Sequence, residues 1–171
     1  MDTSYIITFI GDDRPGLVEQ MSSVIESNRG NWLESRLSQL GGKFAGLILV
    51  SLPADSGDAL RAELTALAAT GLSVKVTPTS DTSLSPEGRA ITLTVLGPDR
   101  LGIVREISRA LAERQINVIE MDSQVDSAAM SGELLFRARI DAHIPADTDL
   151  DNLHDTLEDI AEHMTLDIDL V

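Results

Sequence analysis

Two short segments of the chain combine glycine, aspartate and arginine in the same order and could bind a small charged ligand. The first reads Gly-Asp-Asp-Arg-Pro-Gly from Gly11 to Gly16, and the second reads Gly-Pro-Asp-Arg-Leu-Gly from Gly97 to Gly102, 86 residues later. Each follows an alternating apolar run and precedes a run with helical spacing. Glycine allows close approach of the backbone, and a helix that begins at once leaves free N–H groups at its positive end. Such a turn is suited to binding a carboxylate.

The aspartate of each turn supplies the opposite charge. Asp13 and Asp99 could meet an ammonium group, so an amino acid would satisfy both ends of such a site. The competing interpretation is a purely structural strand–helix turn, in which Arg14 and Arg100 pair with nearby acids. The residues alone leave both interpretations open.

Neither turn has the residues that nucleotide binding requires. A phosphate-binding P-loop continues its second glycine with Lys and then Ser or Thr, which reach the phosphates and the magnesium ion. Here Leu17 follows Gly16, and Ile103 follows Gly102. The sequence therefore excludes a P-loop at both turns.

The other candidates for metal binding or catalysis are three histidines, all in the second half. His154 and His163 share a predicted helix with Asp155 and Asp159, and pairs spaced i, i+4 could chelate a cation. Two ligands on an exposed face make a weak site, so the pattern predicts a solvated acidic face and no metal. No serine lies in a nucleophile-elbow context, and no histidine–carboxylate pairing recurs in both halves. We expect no catalytic residue and no cofactor.

The chain is strongly acidic, and its two halves differ. The net charge is −15; residues 1–80 contain 9 acids and 6 bases, whereas residues 81–171 contain 19 acids and 7 bases. Nonspecific affinity for nucleic acids depends on Lys and Arg that displace counterions, so direct DNA or RNA binding is not expected. The acidic surface indicates either a basic protein partner or simple solvation.

The absence of cysteine and of long apolar runs indicates in which cellular compartment the protein resides. The 171 residues contain no Cys, which excludes disulfides and thiolate sites and is typical of a reducing environment. No apolar run approaches the length of a membrane span, and the first residues lack the basic region of a signal peptide. We expect a cytoplasmic protein that does not enter a membrane.

The elements that position the first turn follow from periodicity. Alternating apolar residues predict a strand over Tyr5–Ile10, and helical spacing predicts a helix over residues 15–29, with Pro15 in its first turn and Gly30 at its end. Gly41 and its glycine neighbour predict a hairpin, after which a second helix and a last strand follow. The second half repeats this order.

Each half is thus predicted to be a β-α-β-β-α-β unit, and the fold class is α+β with two ferredoxin-like domains in tandem. The predicted boundaries are 1–79 for the first domain, 80–88 for a linker and 89–171 for the second domain. Right-handed crossovers place strands 1 and 3 of each sheet at its centre.

The sheet face away from the helices has a predicted role in association. Ile6, Ile10, Ile48 and Val50 are assigned to that face of the first half. Exposed apolar faces and sheet edges are buried by a neighbouring domain or a second protomer, which predicts a homodimer or a tightly paired pseudo-dimer.

These features together resemble the ACT domain, and tandem units resemble the glycine cleavage system transcriptional repressor family. The resemblance rests on the two turns, each followed by an Asn about fifteen residues later, on the segment from Asn31 to Phe44, and on Ala129–Phe136. Leu101, Ala129 and Glu133 depart from prolines that are usual in the family, which affects the second turn and hairpin but not the fold.

The resemblance implies a ligand site between the turn of one unit and the second strand of a neighbouring unit, where Asn31 or Asn117 would add hydrogen bonds. The amino-acid-binding residues it implies are Gly11, Asp13, Arg14, Gly16, Leu17, Asn31, Gly97, Asp99, Arg100, Gly102, Ile103 and Asn117.

The same resemblance implies a non-enzymatic regulator that senses a small amino acid, and the ligand that it favours is glycine. It would repress transcription through a protein partner, a DNA-binding activator, rather than by touching DNA. One alternative is a stand-alone ACT subunit that senses a small amino acid for a metabolic enzyme. A second is an enzyme with a site in the acidic second half, which paired carboxylates with shifted pKa values in a deep pocket would favour.

Overall fold

The computed structural model describes residues 1–80 and 88–171, and the chain divides into two compact units, Met1–Ser83 and Leu84–Val171. The last described strand of the first unit ends at Thr79, and the first strand of the second begins at Arg89. The predicted linker, 80–88, falls largely on residues 81–87, which lie outside the described residues.

The first unit contains four strands and two α-helices, with 3-10 turns on either side of the second helix. In chain order these elements are β1 (Asp2–Asp12), α1 (Leu17–Ser27), β2 (Asn31–Leu40), β3 (Lys43–Pro53), a 3-10 turn (Ala54–Ser56), α2 (Gly57–Ala66), a second 3-10 turn (Leu67–Thr70) and β4 (Ser73–Thr79).

The second unit repeats the order without the 3-10 turns. Its elements are β5 (Arg89–Pro98), α3 (Ile103–Ala112), β6 (Asn117–Ser127), β7 (Leu134–Ile144), α4 (Leu150–Met164) and β8 (Asp167–Leu170).

Both units form four-stranded antiparallel sheets with the same topology. The strand orders are β2-β3-β1-β4 and β6-β7-β5-β8, so the first and third strands of each unit are central. The predicted β-α-β-β-α-β order and its central strands are confirmed, as is the α+β class with two ferredoxin-like units.

Each unit has its own hydrophobic core between one sheet face and two helices. Alternation places Ile7 and Phe9 of β1 inward, where they are 0% and 4% exposed, and Leu93 of β5 is likewise fully buried. The helices contribute residues at helical spacing, such as Leu17 and Met21 of α1. The repeated period-2 and period-3.6 patterns therefore build two similar cores.

The predicted ends of the first helix are wrong in detail. Pro15 precedes the helix, and Gly16 is its N-cap, in the left-handed region with φ 90°. At the other end Arg29 takes the left-handed conformation, with φ 61°, and Gly30 does not. Gly30 is nevertheless constrained by a close approach, because a Cβ there would lie 2.9 Å from the Ile25 carbonyl oxygen.

The hairpin glycines behave as predicted. Gly41 and Gly42 have φ values of 58° and 77° between β2 and β3. Two consecutive positive φ angles give the twist that a two-residue hairpin needs.

The assignment of Ile48 and Val50 to the outer sheet face is wrong. Both are 0% exposed and pack in the core, because Ile48 pairs with the inward-facing Ile7. Their neighbours Leu47 and Leu49 lie on the outer face beside Thr8 and Ile6. The outer face of the first unit therefore carries apolar side chains, as expected, but Leu47 and Leu49 supply those of β3 in place of Ile48 and Val50.

The equivalent face of the second unit is polar. Thr92 of β5 donates a hydrogen bond to Asp141 of β7 at 2.6 Å, and Arg139 pairs with the same carboxylate at 3.1 Å. Arg137, farther along β7, is also exposed on this face. The two units thus have one fold but different outer surfaces.

No helix among residues 1–80 and 88–171 has both the length and the apolar character needed to cross a membrane.

Candidate functional site

The turn after β1 is shaped by a glycine that nothing larger can replace without movement. Gly11 is buried at the end of β1, next to the connection that leads into β4. A Cβ at this position would lie 2.9 Å from Leu72 Cδ1 and 3.3 Å from the Gly71 carbonyl oxygen. The absence of a side chain lets β1 and the start of β4 approach closely, and this approach fixes the path of the turn.

The second glycine of each turn begins the helix in a conformation that glycine adopts without strain. Gly16 and Gly102 have φ values of 90° and 96° and are the N-caps of α1 and α3. No side chain from the described part of the chain caps either helix. By contrast, the Asp149 carboxylate accepts a hydrogen bond from the Asn152 N–H at the start of α4.

The missing caps have an electrostatic consequence. The first N–H groups of a helix have no partner within the helix, and the helix dipole adds partial positive charge there. The first turns of α1 and α3 therefore offer donors for a carboxylate, as the sequence predicts.

Backbone hydrogen bonds hold both turns against the end of the neighbouring hairpin. Asp13 N–H donates to the Gly42 carbonyl at 3.0 Å, and Asp99 N–H donates to the Leu134 carbonyl at 2.8 Å. These bonds use the main chain of each aspartate and leave the carboxylate available. Asp13 and Asp99 are both exposed.

The arginines do not behave as the structural interpretation of the turns expects. Arg14 donates to the Gln20 side-chain oxygen at 3.1 Å. Within the described ranges, neither Arg14 nor Arg100 forms an ion pair with an acid. Pairing with nearby carboxylates is therefore not what holds the turns in place.

An ion pair beside the first turn instead joins Asp12 to Lys43, at the start of β3. The hydrogen bond from Lys43, with its positive charge, lowers the pKa of the Asp12 carboxyl below its usual range. The second turn has Pro98 at the matching position and lacks this pair.

Replacing Lys43 with methionine should raise the pKa of Asp12, because the donor and its charge are both lost. A carboxyl whose pKa is lowered by folding stabilises the native state above its unfolded pKa of about 4, and this contribution is lost as the pH falls through the lower native value. As the pH falls below about 4, we expect the free energy of unfolding to decrease less in the Lys43→Met variant than in the parent. An NMR titration of the Asp12 carboxyl carbon measures the shift, and an unchanged midpoint would contradict the prediction.

A small cavity of about 70 Å³ lies against the first turn. A site for one water needs about 10–15 Å³ by the same kind of measure, so the cavity admits a ligand of a few non-hydrogen atoms. Residues from both the turn and the approach to β4 line it: Gly11, Asp12, Arg14, Leu17, Thr70, Gly71 and Leu72.

The lining brings together three predicted site residues, Gly11, Arg14 and Leu17, and adds others that the sequence analysis missed. Thr70, Gly71 and Leu72 come from the end of the second helical segment, about 55 residues beyond the turn. The left-handed φ of 85° at Gly71 directs the chain back toward Gly11. The glycine at this helix end was the available signal for a close approach.

The predicted asparagines lie far from the turn of their own unit. Asn31 pairs across β3 with Ser51, which pairs with Ser4 of β1, whereas Gly11 lies seven residues farther along that strand. At about 3.3 Å per residue the separation along the sheet is about 23 Å. Asn117 has the same relation to Gly97, because it is aligned through His143 with Ala90. No unit can bring its own asparagine to its own turn.

A β-bulge follows each asparagine and was not predicted. The pairing register shifts between Trp32 and Glu34 in β2, and between Val118 and Glu120 in β6. A bulge inserts one unpaired residue and redirects the side chains next to it. Its occurrence at the same position in both units marks the start of the second strand as a specifically shaped part of the fold.

The predicted acidic helix face forms as expected, with His154 paired to Glu158 at 3.1 Å on α4. Over the ranges that the structure describes, no group of three or more metal-ligating side chains is close enough to hold an ion.

Two carboxyl groups of the described residues have lowered pKa values. Hydrogen bonds from Thr92 and Arg139 lower the pKa of Asp141, as Lys43 lowers that of Asp12. Asp12 is exposed and Asp141 is half-buried, and lowered pKa values are typical of ion-paired carboxylates rather than of general acids.

Known protein families match both halves of the chain. A family model described as an ACT domain matches residues 3–77, and a second model with the same description matches residues 91–160. The chain belongs to the ACT domain family. The two ACT units account for most of the 171 residues and confirm the predicted tandem arrangement.

Two solved structures are similar to the tandem ACT chain over nearly its whole length. A crystal structure of an unknown protein from Galdieria sulphuraria is 30% identical, with a TM-score of 0.88, and the match covers 99% of this chain and 98% of that one. A crystal structure named "putative glycine cleavage system transcriptional repressor" is 20% identical, with a TM-score of 0.73, over 100% of this chain and 97% of that one. At 20% identity the second match shows a shared fold.

A shorter match comes from the UPF0237 protein of Neisseria meningitidis serogroup B. It is 48% identical over 33 residues, which are 19% of this chain and 37% of that protein. The matched part therefore spans little more than a third of the length of that relative.

Proposed function

We propose that this tandem ACT protein is a non-enzymatic regulator that senses a small amino acid, with glycine as the first ligand to test. The observation that supports this function best is the first turn, where an uncapped helix start and a small cavity lie together and the exposed Asp13 directly follows the lining residue Asp12. The carboxylate of the ligand faces the N–H groups at the start of α1, and its ammonium group faces Asp13. Both contacts are charge-assisted, so each is stronger than a neutral hydrogen bond.

The positions of the asparagines support a site built from two ACT units rather than one. Because Asn31 and Asn117 lie about 23 Å from the turn of their own unit, an asparagine that contacts the ligand comes from a neighbouring unit. That neighbour is either the other unit of the same chain or a unit of a second copy. The first case is a pseudo-dimer, and the second is a homodimer.

The regulatory output we propose is repression through a protein partner in the cytoplasm. The second half has a net charge of −12, which opposes contact with a phosphate backbone and favours a basic partner. A DNA-binding activator of glycine cleavage genes fits this requirement, and holding it in a complex would silence transcription. The amino acid regulates the complex if it binds the free and the complexed protein with different affinities.

Isothermal calorimetry with glycine, serine, alanine and leucine tests the sensor. We expect heat from glycine or serine and none from leucine, because the cavity admits few atoms. Absence of binding by all four would contradict an amino acid sensor.

Two asparagine variants decide which unit completes the site. If the neighbouring unit belongs to the same chain, Asn117→Ala weakens binding at the first turn and Asn31→Ala does not. If it belongs to a second copy, either Asn31→Ala or Asn117→Ala weakens binding, depending on which unit of that copy lies next to the first turn. Mixing the variant that weakens binding with Asp13→Ala then restores binding in the mixed dimers. If neither asparagine substitution weakens binding, that result would contradict a site shared by two units.

Affinity capture from cells grown with and without glycine tests the output. Recovery of a transcriptional activator supports repression, whereas recovery of a biosynthetic enzyme supports the alternative of a stand-alone ACT subunit for that enzyme. Purified protein that shifts DNA without any partner would contradict both.

A further inference from the structure

The two turns of this chain are built alike but differ in one neighbouring side chain. Gly71 and Thr165 both take the left-handed conformation, with φ values of 85° and 59°. The residues that follow, Leu72 and Leu166, both lie against the first glycine of the corresponding turn. This equivalence aligns Thr70 of the first unit with Met164 of the second.

In the first unit the short side chain at this position leaves space. Thr70 is exposed, and its hydroxyl donates to the Leu67 carbonyl at 2.7 Å. A threonine held back against its own helix end in this way does not reach across the turn. The cavity of about 70 Å³ lies there, lined by Thr70 together with turn residues such as Gly11 and Arg14.

In the second unit the longer side chain at this position is buried and contacts the turn. Met164 is 4% exposed and belongs to the core of its unit. Its methyl carbon lies 3.9 Å from the position of a Cβ on Gly102, which is van der Waals distance. The flexible thioether of methionine is well suited to filling an irregular gap of this kind. The methionine therefore packs directly under the second turn.

We infer that the two turns are not equivalent: the first is the ligand site of the chain, and Met164 closes the second. The inference rests on the proposed function and adds to it a stoichiometry of one amino acid per chain. It also names the position, residue 70 or 164, that decides whether an ACT turn of this protein is open. The ligand class is an amino acid with a hydrogen, hydroxymethyl or similarly small side chain.

Exchanging the two side chains tests the inference with glycine as the probe. Thr70→Met should weaken glycine binding at least tenfold, and its exposed position makes the substitution tolerable for folding. Thr65→Met is the matched control, at an exposed position of α2 outside the cavity lining, and it should bind within about twofold of the parent.

The reverse exchange should open the second turn. Met164→Thr is expected to raise the calorimetric stoichiometry from one glycine per chain to two, whereas Met164→Leu keeps the space filled and should leave it at one. Substituting Met164 also affects the stability of the second unit, because Met164 is part of its core. A second measurement therefore uses the parent protein. In the parent protein the Thr70 methyl signal should shift on addition of glycine, and the Met164 methyl signal should not.

The outcomes separate this inference from the proposed function. Glycine binding that survives Thr70→Met and is lost in Asp99→Ala would overturn the inference while leaving the sensor intact. A parent stoichiometry of two would do the same. A parent protein that binds none of the four amino acids would overturn both.

Discussion

Replacing Asp13 with alanine should lower the affinity for the amino acid by about tenfold to a hundredfold and leave the melting temperature unchanged. The exposed carboxylate is the group that we assign to the ligand's ammonium, and a hydrogen bond to a charged group contributes about 1.5–3 kcal/mol. Each 1.4 kcal/mol corresponds to about a factor of ten in the dissociation constant. Stability is spared because the Asp13 contact with the Gly42 carbonyl uses the backbone N–H, which alanine retains.

Two controls make this prediction specific. Asp13→Asn keeps the shape but removes the charge, so it should fall between the parent and the alanine variant. Asp58→Ala removes a charge from an exposed position on α2 of the same unit, where its pair with Arg61 is long at 3.8 Å. Calorimetric titration and a thermal melt of each variant measure the two quantities. Equal weakening by Asp13→Ala and Asp58→Ala would mean that net charge, not contact, governs binding.

Leu93→Ala should destabilise the second unit by about 2–5 kcal/mol. The side chain is 0% exposed in the core of that unit, and truncating a buried leucine removes its transfer free energy and leaves a cavity. For a domain of 60–100 residues each kcal/mol shifts the melting temperature by about 4–8 °C, so a fall of about 8 °C or more is expected.

The same strand provides the control for this prediction. Leu96 of β5 points to the outer face and is 39% exposed, and Leu96→Ala should change stability by no more than about 0.5 kcal/mol. Calorimetric scanning of both variants also tests whether the units unfold separately, since the first core contains no residue of β5. Similar losses from both substitutions would contradict the assignment of the two faces.

The internal duplication made the fold predictable. Alternating apolar residues, helical stripes and a glycine pair recur in one order in both halves, so each half supports the interpretation of the other. Local chemistry also placed the two turns correctly, because glycine at a strand–helix junction has few other uses.

The faces of β3 show where local pattern was insufficient. The run from Leu47 to Val50 is apolar at every position, so alternation does not state which residues face the helices. A shift of one residue exchanges the two faces of the strand. Pairing with β1 decides which residues face the helices, because it places Ile48 opposite the inward-facing Ile7.

The sequence by itself determined the tandem βαββαβ architecture, the position of the two turns and the acidity of the second half, since these depend on residues close together in the chain. The tertiary structure alone decided that Asn31 lies at the opposite end of the sheet from Gly11, and that Thr70 lines a cavity at the first turn whereas Met164 packs against Gly102 of the second. Both facts join segments separated by roughly 20 to 60 residues. How two such segments lie relative to each other in space is set by strand register and by the packing of a helix end against a turn. The periodicity within either segment contains no information about that placement.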